Sequence, residues 1–460
     1  MEKINISDCE RPLFTIDKMG EVVLYKNKVL RVINNEYVAQ VLHLFECGFI
    51  NEIVEKELFP RTIISSINIE GYQLVVEHEK ISNWNYPYEW SFDMLKDAAL
   101  TVLEINRVAN IYGFEVLDGH AYNVVFNFNK PFYIDLGSFE RKKEKQESWQ
   151  GYRIFYNHLY IPLYLWSLGL SDLAHSLYLR EGYIDSYEFF KVKYKPFASK
   201  NIYKLASTIE KLSLAKDNNI HSRVKNKNLL NIIFAIKRIS DNKFNSLSLL
   251  KKVKKLKNPN KKTTWENYHN NLIPEEDDRF KRIKEIIYEL PNVDSLLDLA
   301  SNQGKFAEYI YRNTDIDNVI ATDYDEQAVN IMYLRYKEKG IRILPILSNI
   351  VQPNSRKKDH SKSSRLKSDL VVALALTHHL ILTQSMPLDY IFKTISSYSK
   401  KYVIIEFMPL GLYSGDLKDI PKLPEYYNYQ WFKGEFSKIF DITHEEKLEI
   451  NRYVFVGKIK

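Results

Sequence analysis

The stretch that most constrains this chain runs from Asp294 to Ile310 and reads D-S-L-L-D-L-A-S-N-Q-G-K-F-A-E-Y-I. Leu296 and Leu297 run into Asp298, small residues follow through Ala300, Ser301, Asn302 and Gly304, and an amphipathic pattern opens at Phe306. This order predicts strand, tight loop and helix. Gly304 tolerates a positive φ and has no Cβ, so a ligand is expected to lie against the backbone, facing the N–H groups that open the helix. Val319 to Asp323 is a second apolar run ending in an acid twenty-five residues after Asp298. A carboxylate there can accept both hydroxyls of a ribose. Ile341 to Leu347 predicts a third strand ending near Asn349, Asp369 to Leu376 a fourth that leads into Thr377, His378 and His379, and Tyr402 to Phe407 a fifth. Strands alternating with helical segments imply an α/β, doubly wound, mostly parallel sheet with its ligand at the carboxyl ends of the strands.

The G-x-G-x-x-G spacing of dinucleotide enzymes is absent, and D-L-A-S-N-Q-G-K-F stands in its place. On these residues the stretch 263–460 resembles the class I S-adenosylmethionine-dependent methyltransferases. By the residues alone, another doubly wound domain stays open. The resemblance implies a seven-stranded sheet whose closing antiparallel hairpin is Phe440 to Ile450 with Tyr453 to Ile459. It also implies a cofactor loop of Asp298, Ala300, Asn302 and Gly304, with Asp323 on the ribose and Asn349 on the adenine. Trp265 and Tyr268 are expected to cover the cofactor or simply to pack.

The first 215 residues suggest a separate α+β unit. Glu21 to Tyr25 and Lys28 to Ile33 read as strands around Lys26-Asn27, Glu36 to Leu58 as a helix, and Tyr72 to Val76 as a further strand. After an aromatic loop, Trp84 to Trp90, Ser91 is expected to cap a helix over Phe92 to Asn110. The small strand-rich lobe ends near residue 90. Asp118-Gly-His-Ala-Tyr-Asn123, followed by Asp135-Leu-Gly137, resembles the catalytic core of the kinase-like fold in its D-x-H-x-x-N form. The resemblance makes Asp118 the base for a hydroxyl, and Asn123 and Asp135 the ligands of magnesium that bridges ATP phosphates. Two parts of that pattern are missing. Gly20 stands alone where a glycine-rich loop belongs, and Arg31 replaces the lysine of the third strand. An active kinase, a kinase-like domain that only binds, and a chance match all stay open. His78 and His120 lack metal-ligand spacing and are read as structural.

With 460 residues the chain suggests two or three domains, here 1–215, a basic helical linker 216–262, and 263–460. Between Ser222 and Lys262 thirteen Lys or Arg face Asp241 alone, a local +12 in a chain of net +7, so the remainder carries −5. Such a block suits an anionic membrane surface, a phosphorylated glycan or nucleic acid, and equally a solvated connector. Cys9 and Cys47 are the only cysteines, which excludes a disulfide framework or a cysteine-rich zinc site. With no apolar signal region and no long apolar run, the expected location is cytoplasmic, with the basic block bringing the protein to a membrane surface. The run at Ser355 to Lys367 reads as a mobile surface loop.

E-H-E-K-I, Y-P-Y-E-W-S-F-D-M-L-K-D-A-A-L and V-V-A-L-A-L-T-H-H-L together resemble a bacterial family described as class I methyltransferases, some linked to nodulation factors. Methyl transfer is an in-line displacement, so the protein must hold the reactants in line and take a proton when the acceptor is a hydroxyl. His378 or His379 is the candidate base, and Glu406 the candidate group orienting a base or a sugar hydroxyl. The fourth strand ends without N-P-P-Y or a Pro-Cys nucleophile, which argues against nucleic acid as substrate and for an oxygen on a saccharide or small metabolite. An RNA-binding scaffold on the same folds is the alternative from another class of function. A second alternative is a bifunctional chain that phosphorylates a glycan and then methylates the phosphate.

Overall fold

The computed structural model describes residues 2–11, 17–143, 148–179, 189, 246–259, 262–263, 272–351, 360–413 and 422–460. The expectations for the helical part beyond residue 179, for most of the basic block, for Trp265 and Tyr268, and for the start of the 355–367 run lie outside the described residues.

In the first half, β1 (Gly20–Tyr25) and β2 (Lys28–Ile33) form a hairpin whose turn residue Lys26 takes a φ of 52°. With β3 (Thr62–Ile64) and β4 (Leu74–His78) they make an antiparallel sheet of order β1-β2-β4-β3. The single helix expected over 36–58 is instead two, α1 (Val38–Glu46) and α2 (Phe49–Glu55). Gly48 separates them with a φ of 84°, a conformation that ends a right-handed helix. The long α3 (Phe92–Ile111) follows, then the hairpin β5 (Val124–Asn127) and β6 (Lys130–Tyr133). Ser91 precedes α3 but makes no capping bond, and its hydroxyl is buried without a partner among the described residues. A donor at the start of α3, the Asp93 N–H, goes instead to Asn330 Oδ1 at 2.9 Å, a residue of the second half. A sequence-local rule could not find a cap 237 positions away.

The second half opens with α4 (Ser246–Lys255), which buries Leu249 and Val253 and turns four lysines outward. After α5 (Asp278–Glu289) come β7 (Ser295–Leu299), α6 (Lys305–Asn313), β8 (Asn318–Asp323), α7 (Glu326–Lys339), β9 (Ile343–Leu347) and β10 (Ser368–Ala373). Helix α8 (Thr377–Leu382), α9 (Leu388–Ser397), β11 (Ser399–Phe407), α10 (Tyr429–Ile439), β12 (Phe440–Glu449) and β13 (Arg452–Ile459) complete it. The seven strands form one mixed sheet of order β9-β8-β7-β10-β11-β13-β12. The first five run parallel, and β13 pairs antiparallel with both of its neighbours. Every residue of β7 and β10 is buried, as expected of strands covered on both faces, and the sequence is mostly apolar there, as at Leu296–Leu297 and Leu370–Ala373. The strand order reverses between β7 and β10, where a crevice opens at their carboxyl ends.

One apolar core runs through both halves. Trp90 meets the edge of Phe126 at 5.3 Å, and Phe126 meets Tyr333 of α7 at 5.8 Å. Asp97 of α3 accepts the Tyr333 hydroxyl at 2.5 Å and pairs with Lys337 at 2.5 Å. No described helix is long and apolar enough to cross a membrane.

Candidate active site

A cavity of about 480 Å³ opens at the reversal point between β7 and β10. Its floor is the loop after β7. Ala300, Asn302 and Gly304 have φ values of 54°, 53° and 67°, so three left-handed residues alternate with Ser301 and Gln303. For alanine this conformation costs on the order of 1 kcal/mol, strain that persists only where surrounding contacts impose it. The contacts are present. The Ser301 N–H donates to Thr322 O at 2.9 Å, and the Asn302 N–H to Asp323 Oδ2 at 2.7 Å. Ala375, at the end of β10, repeats the feature with a φ of 48°, fixed by its N–H on Glu406 Oε2 at 2.8 Å. Both alanines line the cavity.

Gly304 departs from the expectation that its bare α-carbon faces a ligand. A Cβ there would lie 2.1 Å from Tyr336 Oη and 2.9 Å from Met332 Cγ. Tyr336 also donates to Gly304 O at 2.6 Å. The glycine therefore admits helix α7 against the loop, and Gly304 is not among the lining residues. Asp298, Ala300, Asn302, Asp323 and Asn349 all do line the cavity. Burial pushes Asp298 well above the ordinary carboxylate range, helped by the neighbouring Asp323 charge, and its Oδ2 has no hydrogen-bond partner among the described residues. Burial likewise lifts Asp323 to about 6, against the N–H donors of Asp325 and Asn302. Asn349 turns its Oδ1 onto the Val351 N–H at 3.1 Å, and Ser348 beside it buries an unpartnered Oγ.

At the other end the structure separates the two histidines. His379 lines the cavity, whereas His378 is buried beside it, their ring centroids 4.1 Å apart. Burial lowers the pKa of both, that of His378 to about 3, so both are neutral at pH 7. Glu406 does not line the cavity and is fully buried. It accepts from Arg452 at 2.9 Å and lies 3.6 Å from Arg279, and both arginines line the cavity. In this structure it holds the two arginines together. Asp277 and Glu449 flank the two arginines at 3.8 and 3.0 Å. Sequence reasoning missed Arg279 and Arg452. They stand more than 170 positions apart, in α5 and β13, and meet at the shared Glu406.

The second constellation assembles in the first half. Asn123 Nδ2 donates to Asp118 O at 2.8 Å and to Asp135 Oδ2 at 3.3 Å, and His120 Nε2 lies 3.5 Å from Asp118. Arg31 projects from β2 to Asp135 at 3.7 Å and forms a shorter pair with Asp17. Burial raises Asp135 to about 6 in spite of that guanidinium. An arginine thus stands beside Asp135, the carboxylate that the resemblance assigns to magnesium. Among the described residues no three His, Cys, Asp or Glu side chains are grouped to hold a metal ion. His78 is half-buried with Nδ1 on Thr62 Oγ1 at 2.8 Å.

No family model matches the chain. Over 350 residues it is 26% identical to nodulation protein NoeA of Rhizobium meliloti (strain 1021), spanning 73% of this chain and 71% of that protein. Among solved structures, PH0226 protein from Pyrococcus horikoshii OT3 is similar at 16% identity, covering 42% of this chain and 99% of that one, with a TM-score of 0.33. Magnesium protoporphyrin IX methyltransferase from Synechocystis PCC 6803 with bound SAM is similar at 10% identity over 44% of this chain and 86% of that one, with a TM-score of 0.29.

Proposed function

We propose that the chain is an S-adenosylmethionine-dependent methyltransferase that methylates an oxygen of a saccharide or small metabolite. The observation that carries this reading is the lining of the crevice, where two buried aspartates and a strained loop share one cavity with His379 and two arginines. The donor set fits the cofactor. The unpartnered Asp298 oxygen suits an ammonium group, Asp323 the ribose hydroxyls, Ser348 and Asn349 the adenine edge, and Arg279 a carboxylate. When bound, the cofactor supplies an electrophilic methyl group. His379 is held neutral by burial, ready to take the hydroxyl proton of an acceptor lying over α8. Thr383 and Gln384 line the same end and would orient that acceptor.

For the first half, the Arg31–Asp135 pairing favours binding and presenting the acceptor over phosphoryl transfer with magnesium and ATP. The exposed lysines of α4 favour an anionic membrane surface or phosphorylated glycan as a partner.

Calorimetry of S-adenosylmethionine with the full chain tests the reading directly. Binding is expected, and Asp323→Ala should weaken it by about 1.5–3 kcal/mol, the usual loss of a charged hydrogen-bond partner. Absence of binding by the folded chain at about millimolar cofactor would refute it. Turnover of labelled cofactor with cell-envelope extract, but not with RNA, separates the enzyme from the RNA-binding alternative. Asp135→Asn should leave methyl transfer to an unphosphorylated acceptor intact, while its loss would restore the bifunctional reading.

A further inference from the structure

We infer that the first half sets the cofactor affinity of the second, through a buried relay in which Lys362 and Arg365 position the loop carrying Asn349 and Ile350. This rests on the cofactor reading above. The loop leaves β9 at Leu347, and Ser348, Asn349 and Ile350 line the cavity. At Asn349 it is tied down from outside. Lys362 is buried and donates to Asn349 O at 3.3 Å. Arg365 stands three residues on in the same short helix, Lys362–Arg365. Its guanidinium meets Glu89 at 2.5 Å, donates to Trp84 O at 2.5 Å, and lies 5.1 Å from the ring centres of both Trp84 and Tyr86. The Arg365 and Glu89 side chains are 2% and 1% exposed. Tyr86 Oη also accepts the His360 N–H at 3.1 Å, and the Trp84 and His360 rings stand edge to face.

A single helical turn therefore holds the cofactor loop through Lys362 and is held by the aromatic segment 84–89 through Arg365. Removing one partner of such a pair strands a charge in a dry site, so the two halves keep this contact or reorganise the turn that holds Asn349. A second cross-half contact, that of Asp97, does not touch the loop. Asp97 binds Tyr333 and Lys337 on α7, well along the same boundary.

The test uses the full chain, with S-adenosylhomocysteine as the calorimetric probe and thermal unfolding without ligand as the second readout. Glu89→Gln and Lys362→Met should each raise the dissociation constant at least about tenfold. In turnover they should raise KM for the cofactor with kcat at saturation retained. Asp97→Asn should lower the unfolding midpoint and leave the dissociation constant within about twofold. The charge exchange Glu89→Arg with Arg365→Glu should recover part of the affinity, which a general loss of stability would not. Equal dissociation constants in wild type and Glu89→Gln, or equal weakening by Glu89→Gln and Asp97→Asn, overturn the relay while leaving the cofactor reading intact. A folded wild-type chain that fails to bind the probe overturns both.

Discussion

Glu406 shows how much one side chain can govern without touching a ligand. Its Oε2 receives the Ala375 N–H and Arg452 and stands near Arg279, in a site with no exposure. Glu406→Gln keeps the shape and removes the charge, leaving two cations without their common anion. The expected loss is about 3–5 kcal/mol of folding stability by denaturant titration, the usual result of breaking a buried pair. At the same scale the titrating groups set the pH behaviour. Asp323, lifted to about 6, must be ionised to accept two hydroxyls, so cofactor affinity should be flat above that pH and weaken as pH falls through it, by up to about tenfold per unit. Calorimetry at pH 5, 6 and 7.5 checks this. His379 works as a base only when neutral, and burial lowers its pKa. Turnover at saturating cofactor should therefore rise with pH along a limb below the ordinary histidine range and stay level through neutrality. His379→Asn should abolish the limb and cost about 10²–10⁴ in rate.

At the scale of elements, β7, β8 and β10 were legible as runs of apolar residues because both of their faces are covered. The aspartates that end β7 and β8 were legible for the same reason, since a carboxylate closing such a run is out of place unless it is used. What the sequence did not disclose is whatever depends on two distant segments meeting. Arg279 and Arg452 needed Glu406 between them, the choice between His378 and His379 needed the pitch of α8, and the purpose of Gly304 needed Tyr336 across the loop. The break at Gly48 was hidden for another reason, because apolar spacing continues across it. The strained loop ends make their own prediction. Ala375→Gly relieves a left-handed alanine but frees the unfolded chain, so it should be neutral to stabilising by about 0.5–1 kcal/mol, whereas Ala375→Val should destabilise. Thermal unfolding of the two variants decides it.

For the whole molecule, the shared core predicts shared fate. Trp90, Phe126 and Tyr333 meet edge to face across the boundary, and α3 has a starting amide satisfied by Asn330. Calorimetric unfolding should show the described halves melting together, with calorimetric and van't Hoff enthalpies in agreement. Two separated transitions would contradict this. The sheet's two borders also differ in kind. On β12, Asp441, Glu445, Lys447 and Glu449 are exposed, charges that discourage another strand from adding on. On the far border β9 reads Ile-Leu-Pro-Ile-Leu, four of its five residues buried, and has no such guard of its own. It is screened by the first half instead. Asn129 donates to Ile341 O at 2.7 Å, Asn85 to Pro345 O at 3.4 Å, and Phe128 lies under Arg342. A second half made alone would bare an apolar strand edge, so its fate in the test tube should be self-association into β-rich aggregates, with Pro345 the lone brake on strand addition.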